Sequence, residues 1–350
     1  MSTVPNIAFF TNLVESQYAA SLHTLHPFAA SFIDDARAVF QVQLTNGTSW
    51  VLRAYQRTRP VPDWLIGCAA DTTPAWLASR AATLRYLAQQ QYPAPRLVAT
   101  HTGASIAETD SWCMLMTTFI DGQLTDPTPT TLFGMAAALG RLHHLGRADP
   151  ATMVRETGKS WWYPTIAIPT ALQQYADLAD TLPPEWRTTV DAFCATLHVI
   201  HTHQDTLPRA IIHGDGWAGN AVQTATRDMI FIDWEPSGQG IAILDLGRLL
   251  LQCHQDLATP LTTPIKPTAW RVNAVIEGYC SARMPTVTER AVLLDAIRFG
   301  VAFGAATHFT SAKRADWEPR QPERLTRRQR WFAVCERIAD LAQKRLDQLL

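Results

Sequence analysis

The apolar pattern of the chain changes period once, and that change narrows the folds open to it. In the first third, Phe40-Gln-Val-Gln-Leu44 alternates, Asn46-Gly47 is a strong hairpin turn, and Ser49 to Tyr55 resumes as a strand. Thr73-Pro74 gives a helix start with proline at the first helical position, and Trp76, Leu77, Leu84 and Leu87 form its apolar face. Pro93 and Pro95 close that segment; Ser111 to Met116 reads as a further buried strand, and Asp121-Gly122 as a turn. Beyond this point the pattern is helical. Leu132 to Leu145 is rich in Ala and Leu, and Leu182-Pro183-Pro184 opens a helix running towards His203. The expectation is an α+β chain with an antiparallel sheet lobe (1–118) and a larger, mainly helical lobe (119–350).

Composition agrees with a globular chain. At 350 residues, two domains or two lobes are expected. An apolar fraction of 47% with 17% charged residues excludes disorder and coiled coil. Thirty basic against 31 acidic residues give no electrostatic case for nucleic acid. Six scattered cysteines without a CxxC pair read as buried thiols of a reducing compartment. With no basic-then-apolar leader and no apolar run long enough for a bilayer, the expectation is a cytoplasmic protein without a membrane partner.

Three features carry less than they suggest. His198, His201 and His203 lack a carboxylate or cysteine at ligand spacing and read as surface histidines at a helix end. Gly238-Gln-Gly240 reads as a turn, and the basic segment after residue 311, which continues into an apolar-periodic stretch from Trp331 to Leu350, as a solvated surface helix. Trp161-Trp162 reads as core more readily than as an acceptor platform.

Chemistry concentrates between Ile211 and Glu235. Asn220 to Gln223 and Met229 to Asp233 are short strand-like runs around a turn, Thr-Ala-Thr-Arg-Asp. Pairing them as a hairpin brings Asn220 and Asp233 to one open end, with Asp215 on the loop leading into it. Three oxygen-bearing side chains then converge. Mg²⁺ takes oxygen ligands, usually one or two carboxylates plus substrate phosphates, and a nearby non-ligand aspartate can accept a proton from a hydroxyl.

His213-Gly-Asp215, Asn220 and Ile232-Asp233-Trp-Glu resemble the catalytic-loop and metal-loop signature of the aminoglycoside phosphotransferase and choline kinase-like enzymes. These are small-molecule kinases on a protein-kinase-like two-lobe fold. Leu142-His143 and Asp245-Leu-Gly247 fit the same layout. The resemblance implies ATP and Mg²⁺ between the lobes, a small-molecule hydroxyl as acceptor, Asp215 as base, Asn220 and Asp233 on the metal, and Asp245 bracing the catalytic loop. Trp217 and Glu235 are candidates for the acceptor side.

The nucleotide lobe departs from the family pattern. Arg53 stands where a phosphate-contacting lysine is usual, and it can bind phosphate bidentately. The glutamate expected on the following helix is replaced by Arg80, whose spacing from Leu77 and Leu84 puts it on the inward stripe. Arg80 then either snorkels to the rim or contacts a phosphate or a carboxylate such as Asp34 or Asp35. Phe32 to Arg37 replaces the glycine-rich loop. In the connector Met116 to Gly122, the backbone of Met116, Thr118 or Ile120 would meet adenine. The second reading is a nucleotide-binding module without transfer activity, supported by the missing glutamate and glycines. The acceptor's identity, ATP against GTP, and the oligomeric state stay open.

Overall fold

A computed structural model describes residues 7–28, 37–57, 73–149, 152, 168–177, 184–259, 263–312 and 321–350. Phe32 to Ala36, including Asp34 and Asp35, and Trp161-Trp162 lie outside the described residues. The chain divides into two compact units. The described residues of one come from Met1–Val61, Ala70–Asp121 and Pro150–Val154; those of the other come from Gly122–Asp149 and Arg155–Leu350.

The first unit holds α1 (Ile7–Tyr18), β1 (Leu22–Pro27), β2 (Arg37–Leu44), β3 (Ser49–Gln56), α2 (Thr73–Gln89), β4 (Ala107–Glu108) and β5 (Trp112–Thr118). The strands form one antiparallel sheet in the order β1-β2-β3-β5-β4. The period-2 pattern sorts its faces. Ala38, Phe40, Val42 and Leu44 of β2, Leu52 and Ala54 of β3, and Met114 and Met116 of β5 share one core with Phe10, Leu13 and Val14 of α1. The opposite face carries Tyr55, whose ring meets Trp76 of α2 edge-on at 4.9 Å. The Asn46-Gly47 turn closes the β2–β3 hairpin with Gly47 at φ 84°, a conformation glycine adopts without penalty.

The second unit is built from β6 (Gln123–Leu124), α3 (Pro129–His144), α4 (Ile168–Ala176), α5 (Pro184–His203), β7 (Arg209–Ile212), β8 (Ala221–Gln223), β9 (Met229–Phe231), β10 (Gly238–Ile241), α6 (Ala242–Gln252), α7 (Ala269–Cys280), α8 (Val287–Ala291), α9 (Leu293–Ala312) and α10 (Gln321–Leu349). Thr128 caps α3 in a capping box with Thr131, and Pro129 follows at the first helical position. Helices α3 and α7 pack closely. A Cβ at Gly278 would lie 2.2 Å from the Phe133 carbonyl oxygen, so only glycine permits this approach.

One expectation is corrected by the structure. Gly238-Gln-Gly240 is strand β10, paired antiparallel with β7, because the chain leaving residue 237 runs directly back along Ile212 to Arg209. The C-terminal helix turns the apolar-periodic stretch of its sequence inward. It buries Trp331, Phe332, Cys335, Ile338, Ala342 and Leu346, an apolar stripe at helical spacing. The three histidines of α5 are exposed, as their spacing suggested. Among the described cysteines all five are free; Cys113, Cys253 and Cys335 are buried, and Cys194 and Cys280 partly so. No helix among the described residues is long and apolar enough to cross a membrane.

Candidate active site

The site is assembled on the short strands β7, β8 and β9 and on the first turns of α6. β8 and β9 pair as the hairpin the sequence suggested, with Ala221 opposite Phe231. The Ile232 N–H donates to the Asn220 carbonyl at 2.8 Å, which extends the pairing by one residue and leaves Asn220 and Asp233 at the same open end. A single 3-10 turn, Ala218–Asn220, delivers Asn220 into β8. There the Asn220 Nδ2 donates to Asp215 Oδ2 at 2.8 Å and to the Asp215 carbonyl at 3.0 Å. Asp215 and Asn220 are therefore in direct contact.

Asp233 leaves β9 in a left-handed conformation, φ 59°, uncommon for a residue with a side chain and best tolerated by Asp and Asn. Its successor fixes the bend. Trp234 is buried, its Nε1–H donates to the Phe231 carbonyl at 2.9 Å, and its ring meets His213 edge-on at 4.8 Å. This staple holds the bend of the chain at Asp233. Asp233 and Glu235 are both half-buried.

The loop carrying Asp215 is held from below by α6. Asp245 lies in the first turn of that helix, where its dipole favours a carboxylate. Asp245 Oδ2 accepts the His213 backbone N–H at 2.8 Å, and Oδ1 accepts the Gly214 N–H at 3.0 Å. Gly214 sits at φ 80°, and a Cβ there would fall 2.8 Å from the Pro236 carbonyl oxygen, so the loop passes the segment after Asp233 at backbone distance. The His213 Nε2–H donates to the Ile232 carbonyl at 2.9 Å, while Nδ1 accepts the Asp215 N–H at 3.3 Å. One imidazole thus ties the two loops together.

Burial alone would raise the Asp245 pKa. The hydrogen bonds from His143 and from the His213 backbone N–H outweigh that and hold the carboxyl below its ordinary value.

Behind Asp245 lies a buried polar chain. The His143 Nε2–H donates to Asp245 Oδ2 at 3.3 Å, and His143 Nδ1 accepts the Tyr279 hydroxyl at 2.8 Å. The Arg283 Nη1 donates to the same hydroxyl oxygen at 2.7 Å, and Nη2 donates to both Glu289 carboxylate oxygens at 2.9 Å. Every link is satisfied in one sense, donor to acceptor, from Arg283 to Asp245. The sequence places His143 at a helix end but says nothing of Tyr279, Arg283 or Glu289, which lie far along the chain.

Arg248, also not anticipated from the sequence, stands one helical turn beyond Asp245 and pairs its Nη2 with Asp215 Oδ1. The i, i+3 spacing within Asp245-Leu-Gly-Arg248 was the available signal, since it places both side chains on the helix face that meets the loop. Trp217 is half-buried and its ring folds over Gly219; a Cβ there would lie 2.3 Å from the indole.

The remaining candidates belong to the first unit. Arg53 of β3 lies opposite Val39 and Leu115. Its parity puts it on the sheet face of Tyr55, which packs on Trp76. Arg80, one turn after Trp76 on α2, is only 2% exposed, so it points inward and does not snorkel to a rim. Met116 is buried and its carbonyl accepts the Val98 N–H at 2.9 Å. The Thr118 N–H donates to the Arg96 carbonyl at 2.8 Å, and its hydroxyl accepts the Arg96 N–H at 2.9 Å. Ile120 is half-exposed just beyond the strand.

Residues 32–264 match the model of a family described as the phosphotransferase enzyme family (APH). No curated protein matches the chain. Among solved structures, an amicoumacin kinase in complex with AMP-PNP, Ca²⁺ and Ami aligns with a TM-score of 0.65 at 14% identity, covering 95% of this chain and 93% of that one. A microcompartment-associated aminopropanol kinase gives 0.66 at 15% identity over 96% and 98% of the two chains. Choline kinase from Cryptosporidium parvum Iowa II gives 0.63 at 13% identity over 98% and 99%. These likenesses establish the kinase-like fold.

Proposed function

We propose, for a chain that belongs to the phosphotransferase enzyme family, that Asp215 accepts the proton of a small molecule's hydroxyl as that hydroxyl takes the γ-phosphate of ATP. The observation that carries this reading is the convergence at one loop end. Asp215 is fixed through both carboxylate oxygens, by Asn220 and Arg248, and through the loop amides that Asp245 receives. Such fixing supports catalysis by orientation, since a base held in place need not be reorganised when the hydroxyl arrives.

The donor set suits Mg²⁺. The Asn220 amide nitrogen is committed to two Asp215 oxygens, which turns its carbonyl oxygen to the opposite side. Asp233 supplies a carboxylate at the same hairpin end. One amide oxygen and one carboxylate, completed by substrate phosphates and water, is a usual magnesium environment. Among the described residues no three His, Cys, Asp or Glu side chains form a metal cluster, and this mode of binding does not call for one. When bound, Mg²⁺ would neutralise charge on the triphosphate.

In the first unit, Arg53 is the proposed phosphate contact, since a guanidinium can bind phosphate bidentately; Arg80, at 2% exposure, offers almost no surface to a ligand. For the base, Met116 and Thr118 already engage residues 96–98 through their backbones. Ile120 is therefore the connector residue we assign to adenine. Trp217 and Glu235 are assigned to the acceptor side.

An acceptor screen for stimulated ADP release from Mg-ATP tests the reading. At least one alcohol should stimulate release in the unmutated protein, and Asp215→Ala and Asp233→Ala should abolish that stimulation with thermal unfolding unchanged. Stimulated release that survives in either variant contradicts it.

A further inference from the structure

The hydrogen bonds behind Asp245 dictate where the proton of a buried histidine sits. Arg283 can only donate. Its Nη1 takes one lone pair of the Tyr279 hydroxyl oxygen at 2.7 Å, and its Nη2 is held by both Glu289 oxygens at 2.9 Å. Glu289 is fully buried and also accepts the Thr286 N–H at 2.8 Å, so the guanidinium has a fixed seat. Burial pushes the Tyr279 phenol pKa up, so the hydroxyl keeps its proton. With Arg283 on its oxygen, the hydroxyl turns that proton to His143 Nδ1 at 2.8 Å. Nδ1 is then an acceptor, and the imidazole carries its proton on Nε2, facing Asp245 Oδ2 at 3.3 Å. A proton on Nδ1 would have to join Arg283 on the phenol oxygen and would strand the hydroxyl proton. His143 is only 2% exposed, so water does not supply the missing acceptor.

We infer that Arg283 is a positioning residue for the transfer step. Acting through Tyr279, it keeps His143 Nδ1 free of a proton and so holds His143 as the Nε2–H donor that seats Asp245. Asp245 in turn receives the His213 and Gly214 amides of the loop that carries Asp215. The inference rests on the proposed function, in which Asp215 is the base. Without Arg283 the phenol oxygen is open to a proton from Nδ1. The ring then either gains a second proton or gives up the one on Nε2, and in both cases the grip on Asp245 changes.

Long-range ¹H–¹⁵N NMR of ¹⁵N-histidine-labelled protein reads the state of His143, its signals assigned by comparison with His143→Gln. The unmutated protein should show a bare Nδ1 and a protonated Nε2. A proton on Nδ1 overturns the inference whatever the protein's activity. Arg283→Met should place a proton on Nδ1 and lower kcat for acceptor-stimulated ADP release by about tenfold or more, with KM for ATP unchanged. Arg283→Lys keeps a cationic donor for the phenol oxygen and should restore the bare Nδ1 and part of the lost kcat. A fall in kcat with the proton pattern unchanged, or a changed pattern with kcat unaffected, overturns the inference while leaving the kinase reading intact. Absence of stimulated release from the unmutated protein with every alcohol overturns the kinase reading and the positioning role with it. The proton pattern of the unmutated protein and the lysine variant decides the matter even if Arg283→Met does not fold.

Discussion

His143 and Asp245, 102 residues apart in sequence, meet through a 3.3 Å hydrogen bond with both side chains fully buried. This contact joins the end of α3 to the start of α6 directly beneath the loop that carries Asp215. It makes the position of the proposed base depend on groups remote from it.

Tyr279→Phe removes the hydroxyl that links His143 to Arg283. The expected cost is about 1–2 kcal/mol of unfolding free energy. Because the chain ends on Asp245, kcat should fall while KM for nucleotide stays close to its original value. Urea unfolding and steady-state kinetics on the same preparation check both parts.

Glu289 is fully buried and both its oxygens face Arg283. Glu289→Ala would leave a guanidinium in a low-dielectric site without its counter-ion, at a cost of about 3–5 kcal/mol. Replacing Arg283 and Glu289 together should cost less than the sum of the single changes. A double-mutant cycle by thermal or urea unfolding measures that coupling.

His254 is pushed down from 6.5 to about 4 by burial and by the Arg271 guanidinium. The unfolded chain therefore binds a proton at this residue between those values while the folded chain does not, so stability falls as pH drops from about 6.5 to 4. The contribution is at most about 3 kcal/mol and smaller for a partly exposed ring. His254→Phe should flatten this part of the pH–stability curve. Asp245 acts lower on the scale. Its depressed carboxyl pKa stabilises the fold above the ordinary aspartate range, and that stabilisation is lost as pH falls through the depressed value.

Gly278→Ala places a methyl group 2.2 Å from the Phe133 carbonyl oxygen, where only backbone movement can make room. A loss of about 3 kcal/mol is expected, read as a lowered midpoint in urea.

Local signals made much of this fold legible. The β2–β3 hairpin followed from alternation around Asn46-Gly47, and α2 from Thr73-Pro74 with its apolar stripe, because such elements are fixed by neighbours in sequence. The hairpin that sets Asn220 beside Asp233 was legible for the same reason. The polar chain behind Asp245 was not. His143, Tyr279, Arg283 and Glu289 come from α3, α7, α8 and the loop before it, and no periodicity links them until the helices pack. Gly238-Gln-Gly240 misled in the other direction. Glycine spacing signals a turn, but tertiary pairing with β7 made it a strand. Arg248 was legible in principle from its spacing to Asp245, yet its partner Asp215 lies 33 residues earlier and is reached only through the fold.

The role of Asp215 as base is tested most directly by comparing the unmutated protein with Asp215→Asn in a single turnover, following the γ-phosphate of ATP into a phosphomonoester by ³¹P NMR with an acceptor identified by the screen. Asn keeps the shape of the side chain and removes the proton acceptor. The rate should be lower by about 10²–10⁴ in Asp215→Asn, with the protein still folded and still stabilised by Mg-ATP. Transfer at an unchanged rate in that variant would contradict a proton-accepting Asp215.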